Sequence, residues 1–166
     1  MNESGAHSFD GGFTRQALRN SLETERLAHI VRRVMRCFQS GLEQHLFAHN
    51  VNYGFWFYLR ELWGEEGLSK RELSERVGLT EPTTHSVINR MVAAELVEMR
   101  PIVEGKPRKI VFLTEKGRAL QNQLEPLAWD LNDAAVKGLS EKEVSELKRM
   151  LLIIHANLIR EINAYG

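Results

Sequence analysis

The segment "LSKRELSERVGLTEPTTHSVINRM", residues 68–91, restricts the fold more than any other part of the chain. Ser69 followed three residues later by Glu72 is a capping box, in which each side chain satisfies a backbone N–H at a helix start. The helix it opens is short, because Gly78 follows and glycine readily takes the left-handed conformation that ends a helix. Only "GLT" separates it from a second start, with Thr80 as N-cap and Pro82 in the first turn, where the missing N–H does no harm. Two short helices joined by a tight, glycine-containing turn read as a helix-turn-helix.

The second of these helices has two distinct faces. At about 100° per residue, Thr84, Val87, Ile88, Met91 and Val92 fall on one side. Pro82, Ser86, Asn89, Arg90 and Ala93 fall on the other, flanked by Thr83 and His85. The first side suits a core. The second holds hydroxyls, an amide and a guanidinium, with Glu81 the one nearby acid. Asparagine pairs bidentately with adenine, arginine with guanine, and hydroxyls reach bases or phosphates. A carboxylate-lined face would instead be repelled by phosphate. Ser69, Thr80, Pro82, Thr83, His85, Ser86, Asn89 and Arg90 are therefore candidate DNA contacts. A solvated helix that reads nothing has the same pattern, and helix-turn-helix geometry also occurs in proteins that bind no DNA.

Next, "LVEMRPI" and "KIVFLT" have strand composition and flank "VEGKP", so residues 96–114 read as a β-hairpin. It carries Arg100, Lys106, Arg108 and Lys109, and a ribbon beside a recognition helix can lie against a neighbouring groove or backbone. Lysines on a strand edge also serve to block sheet aggregation. The whole chain has 22 Lys/Arg and 22 Asp/Glu, for a formal net charge of zero. Bulk charge therefore does not draw it to a polyanion, and the placement of charge on each face matters more.

A long amphipathic helix is expected from about Leu22 to Ala48, with Leu27, Ile30, Val31, Val34, Phe38, Leu42 and Leu46 on one stripe. "NYGFWFYLRELWGEEG" follows. It is apolar on most sides, hence buried between two surfaces, with Gly67 as its stop. After the hairpin, Thr114 caps a helix expected to bend near Pro126. Ser140 and Glu143 open a last helix whose stripe is Leu147, Met150, Leu151, Ile154, Leu158 and Ile162. The first and last stripes exceed what one small lobe can bury, and uncovered they form a large exposed patch. A two-fold homodimer covers them and sets two recognition helices about 34 Å apart, one DNA turn, on a pseudo-palindromic operator. A monomer with its terminal helices folded back on its own lobe is the other way to cover them. The fold class is mainly α with a small β-hairpin. The expected organisation is a mobile arm at 1–20, a dimerisation helix at 21–50, a DNA-binding lobe at 51–114 and C-terminal dimerisation helices at 115–166.

The run "LSKRELSERVGLTEPTTHSVINRMVAAELVEMR", followed by "VFLTEKGRAL", resembles the MarR family of bacterial transcriptional regulators. The resemblance covers most of the chain and is strongest from Leu68 to Leu120. "LTEKGR" at 113–118 is characteristic of the end of the family's wing. The resemblance implies a winged helix-turn-helix lobe, an obligate homodimer with interlocked first and last helices, a double-stranded DNA operator, and a repressor released by a small molecule. Two departures stand out. The family's D-x-R wing pattern falls here on Gly105, Lys106 and Pro107, with the arginine displaced to Arg108, a departure that bears on the usual Asp–Arg brace and on the depth of minor-groove insertion. Ser86 stands where a basic residue is common, which shifts base readout towards Thr83, His85, Asn89 and Arg90.

The resemblance also implies an effector cleft where the dimer helices meet the DNA lobe. Positions 53, 56, 57 and 60 share a helix face, setting Arg60 beside Tyr53, Trp56 and Phe57, while His29 and Arg33 lie one turn apart on the first helix. An apolar slot with one cation suits an aromatic carboxylate or phenolic acid. The same aromatics also read as core, and Arg60 as a residue salt-bridged to an acid such as Glu61 or Glu65.

Cys37 is the only cysteine, which precludes an intramolecular disulfide and fits a reducing cytoplasm. It reads either as a redox switch activated by Arg33 and Arg36, like the organic-peroxide sensors of the family, or as an inert buried thiol on the stripe with Ile30, Val34 and Gly41. No apolar run spans a bilayer, and the N-terminus lacks the pattern of a secretory signal. The six histidines have no metal-ligand spacing, and neither a phosphate-binding glycine loop nor a nucleophile elbow is present. The sequence therefore points to no enzyme, metal or cofactor. Its rival readings are a winged-helix protein-interaction module without DNA binding and a redox regulator acting through Cys37.

Overall fold

The computed structural model describes residues 23–102 and 108–165. The expected arm at 1–20 and Lys106 lie outside the described residues, as does the side chain of Arg108. The elements are α1 (Leu27–Ala48), α2 (Tyr53–Gly64), β1 (Leu68–Ser69), α3 (Lys70–Val77), α4 (Glu81–Ala93), β2 (Val97–Ile102), β3 (Arg108–Leu113), α5 (Glu115–Ala135) and α6 (Glu141–Ala164).

Local side-chain chemistry sets most of these boundaries. Ser69–Glu72 and Ser140–Glu143 form complete capping boxes at α3 and α6. Thr80 accepts from Thr83 N at the start of α4, and Thr114 from Gly117 N at the start of α5. Gly78 ends α3 at φ 73°, a left-handed backbone that a side chain resists. Two boundaries differ from expectation. α1 begins at Leu27, after an extended Arg26 that separates it from the helical residues Glu23 and Thr24. α2 stops at Gly64 and not at Gly67, because the chain turns extended at Glu65 to join a sheet. Gly67 N then donates to Val111 O at 3.0 Å. α5 continues through Pro126 to Ala135, although proline there cannot bond the carbonyl one turn back.

The sheet is three-stranded and antiparallel, in the order β1-β3-β2. β2 and β3 form the expected hairpin, paired from Val97↔Leu113 to Ile102↔Arg108. β1 adds two residues on the far edge, Leu68↔Val111 and Ser69↔Ile110.

The core gathers around α2. Phe55, Tyr58, Leu59 and Leu62 meet Leu73 of α3, Ile88 and Met91 of α4, Val97, Val111 and Leu113 of the sheet, and Leu120 and Leu124 of α5. α5 approaches the sheet so closely that a Cβ on Gly117 would lie 2.1 Å from Leu96 O. Trp63 Nε1 donates to Gly117 O at 3.0 Å across the same contact. The outer helices differ. α1 buries only Leu46, and α6 buries none of its residues against this chain. Leu27, Val31 and Val34 of α1 and Leu147, Met150, Leu151, Leu158 and Ile162 of α6 stand exposed. Among the described residues no helix is long and apolar enough to cross a membrane.

Candidate nucleic-acid interface

α4 divides as its sequence pattern predicts. Thr84, Ile88 and Met91 are fully buried, and Val87 and Val92 half-buried. Pro82, Thr83, His85, Ser86, Asn89, Arg90 and Ala93 are exposed. The buried hydroxyl of Thr84 lies 3.0 Å from Tyr58 Oη of α2. Each satisfies the other, which removes the penalty of burying a lone hydroxyl. At the helix start the Thr80 and Thr83 hydroxyls sit 2.9 Å apart. Ser69 Oγ is engaged by Glu72 N at 3.2 Å in the capping box.

Much of the lobe's positive charge is already paired. Arg71 meets Glu75 and Arg76 meets Glu65. Arg100 Nε donates to Glu98 Oε1 at 2.9 Å, and its guanidinium lies 4.5 Å from the Phe112 ring centroid. Arg90 is held differently: its guanidinium packs 5.3 Å from the centroid of Phe55, on α2. Such a contact contributes about 0.5–1 kcal/mol and fixes the side chain's direction. Lys70 and Lys109 have no carboxylate partner among the described residues.

Lys70 is a residue of the candidate interface that the sequence pattern did not single out. It is the first residue of α3, and its Nζ lies 3.0 Å from His85 Nδ1 and 3.5 Å from Asn89 Oδ1. Partial burial, and secondarily the charge of Lys109, push its ammonium below the usual lysine value. Lys70, His85, Asn89 and Lys109 thus form one cluster across α3, α4 and β3. The link is the β1–β3 pairing, which draws the start of α3 beside β3. A two-residue strand has no periodicity by which the sequence could reveal it.

The candidate effector residues separate into groups. Tyr53, Trp56 and Arg60 line a cleft of ≈ 650 Å³ that reaches from α2 to α5, with Trp63, Glu125 and Lys148 also on its walls. Phe57 does not line it and packs edge-on against Tyr53, centroids 5.2 Å apart. His29 and Arg33 border a separate hollow on α1, where Arg33 Nη1 lies 2.9 Å from Glu25 Oε1. Cys37 is exposed in this chain, whereas one sequence reading buried it. Among the described residues no group of three or more His, Cys, Asp or Glu is placed to hold a metal ion.

A short helix locked to a core, a second helix across a tight turn and a β-ribbon beside them define a winged helix-turn-helix. The family model for winged helix-turn-helix DNA-binding domains matches residues 59–98. An uncharacterized HTH-type transcriptional regulator of Staphylococcus aureus is 26% identical over 130 residues, 77% of this chain and 89% of that one. A putative MarR family transcriptional regulator from Listeria monocytogenes, solved in complex with a 26mer DNA, superposes with a TM-score of 0.75 at 20% identity, over 82% of this chain and 91% of that one. Bordetella bronchiseptica BpsR, whose DNA binding is regulated by 6-hydroxynicotinic acid, superposes with a TM-score of 0.69 at 21% identity, over 78% of this chain and 94% of that one. The chain thus carries a winged helix-turn-helix DNA-binding domain at residues 59–98 and shares its fold with MarR family transcriptional regulators.

Proposed function

We propose that the protein is a cytoplasmic homodimeric repressor that binds a pseudo-palindromic operator through α4 and is released by a small aromatic acid or phenol. The observation that carries the DNA part is the exposed face of α4. It is polar and poor in acids, and is bordered by Lys70 and Lys109, neither of which has a carboxylate partner among the described residues. Thr83, His85, Ser86, Asn89 and Arg90 are the proposed base-facing set. Ser69, Thr80, Pro82, Arg100, Lys106, Arg108 and Lys109 are the proposed backbone-facing set.

The effector part rests on the cleft at Tyr53, Trp56 and Arg60. Arg60 and Lys148, on walls that also carry the rings of Tyr53, Trp56 and Trp63, suit a carboxylate on a flat ring. α2 carries both this cleft and the ties to α4, Tyr58–Thr84 and Phe55–Arg90. A ligand that displaces α2 therefore moves the recognition helix, and the coupling is reciprocal: DNA lowers effector affinity by the same factor.

The experiment is a DNA mobility shift across salt concentrations, on the adjoining intergenic DNA and on random DNA. Expected are tighter binding to the specific DNA, a steep loss with salt, and weakening by salicylate or a hydroxynicotinate. Loss of that aromatic-acid response, with DNA affinity kept, is expected for Arg60→Met. Absence of any DNA affinity at low salt would favour the protein-interaction reading.

A further inference from the structure

The polar face of α4 is not a row of independent side chains. Lys70 Nζ lies 3.0 Å from His85 Nδ1 and 3.5 Å from Asn89 Oδ1. A lysine ammonium has three N–H donors and no lone pair, so the atoms that face it must accept. His85 therefore turns an unprotonated Nδ1 inward and carries its proton on Nε2. Asn89 turns its carbonyl oxygen inward and leaves its amide NH2 free. Lys109 adds another donor alongside. The groups left to face DNA at 70, 85, 89 and 109 are all donors.

The arrangement is set before any DNA arrives. Ser69 is pinned to Ile110 in the sheet and to Glu72 in the capping box, and Lys70 follows it directly. The ammonium is thus delivered to α4 by the sheet and needs no phosphate to hold it there. Base edges in the major groove differ in what they offer such a surface. Guanine presents N7 and O6, both acceptors. Adenine sets an amino donor beside N7, and cytosine presents an amino donor. Bidentate pairing of asparagine with adenine uses the amide oxygen as well as the NH2, and in Asn89 the Lys70 ammonium faces that oxygen and competes for its lone pairs.

We propose that Lys70 is a specificity-determining residue, which by orienting His85 and Asn89 as donors sets α4 to read guanine where a free asparagine would read adenine. This rests on the reading that α4 contacts an operator.

The test selects duplexes from a random pool with the full-length protein and with Lys70→Met and Lys70→Arg, then measures binding to single-base variants of the selected site. Methionine keeps much of the stem and loses the donor. Arginine keeps a side chain that can only donate. The wild type is expected to enrich a guanine in each half-site, with adenine at that position weakening binding about tenfold. Lys70→Met is expected to bring guanine and adenine to within about twofold of each other, and Lys70→Arg to keep the guanine preference. Replacing that guanine by 7-deazaguanine should weaken the wild type and not Lys70→Met. Equal weakening of every sequence by Lys70→Met, with the base ranking unchanged, would reduce Lys70 to a phosphate contact and overturn the proposal. So would loss of the preference in Lys70→Arg, or adenine enrichment by the wild type. Failure of the wild type to select any sequence would overturn the operator reading itself.

Discussion

Arg118 of the "LTEKGR" motif grips Glu66 with two bonds of 2.7 Å, and Glu66 also accepts from Leu113 N at 3.2 Å. One carboxylate thereby ties the α2–β1 link to the end of β3 and the first turns of α5. The hydrogen bond from Arg118 holds Glu66 below the usual carboxylate range, against the opposing effect of burial. A depressed folded value stabilises the protein above the ordinary glutamate range, and the gain is lost as pH falls through the folded value. Glu66→Gln is expected to lower stability by about 1 kcal/mol at neutral pH, because the pair is partly exposed and screened. The deficit relative to wild type should shrink below pH 4.5, the ordinary value for the group. Thermal melts across pH test this; a deficit unchanged by acid would mean that the ion pair contributes nothing. Gly117 carries a steric constraint in the same motif. A Cβ there would meet Leu96 O at 2.1 Å, backbone that cannot swing aside. Gly117→Ala should therefore cost about 1–3 kcal/mol of stability, read from urea unfolding.

At the level of elements, what was legible in the sequence depended on distance along the chain. Capping boxes at Ser69 and Ser140, the Thr80 and Thr114 caps and the stop at Gly78 involve residues a few positions apart, so the sequence states them directly. The two faces of α4 were legible for the same reason: helical phase assigned Thr84, Ile88 and Met91 to the core correctly. β1 was not legible, because its two residues become a strand only through Val111 and Ile110, about forty residues away. The end of α2 and the place of Lys70 beside His85 and Asn89 went unread with it. Helical phase also set Phe57 beside Arg60, and His29 and Arg33 were expected nearby. Phase does not say which neighbouring element a face meets, and the structure distributes these residues over different surfaces. The Tyr58–Thr84 bond between α2 and α4 is non-local in the same way, joining residues 26 apart. Thr84→Val strands a buried phenol and should cost about 1–3 kcal/mol. Adding Tyr58→Phe should recover part of that loss, since both partners then become apolar. A double-mutant cycle in urea unfolding measures the coupling, and strict additivity would mean that the two hydroxyls do not stabilise one another.

For the molecule as a whole, its two kinds of surface have opposite needs. The winged lobe buries its own core and presents charge. α1 and α6 hold their apolar residues outside it, at exposures such as 57% for Leu158 and 64% for Ile162. Covering them by a second copy would remove that surface from water, at roughly 25 cal/mol per Å² of apolar area. The chain's formal net charge of zero gives no long-range pull towards DNA. In the proposed homodimer, affinity then comes from local cations such as Lys109, applied twice by its two lobes. Dimer and DNA binding should therefore fail together. Leu158→Glu places a charge on the apolar stripe of α6 and leaves the lobe's core untouched. The variant is expected to sediment as a monomer with the wing and recognition helix folded. Its DNA affinity should fall by more than tenfold, and its salt dependence should drop to about half the wild-type slope, because half as many phosphates are neutralised at once. Lys109→Ala makes the contrasting case. It should leave the dimer intact, weaken specific and random DNA alike, and lower the slope by about one per lobe. If Leu158→Glu kept the full slope while sedimenting as a monomer, the operator would be bound by one lobe, and the exposed faces of α1 and α6 would need another partner.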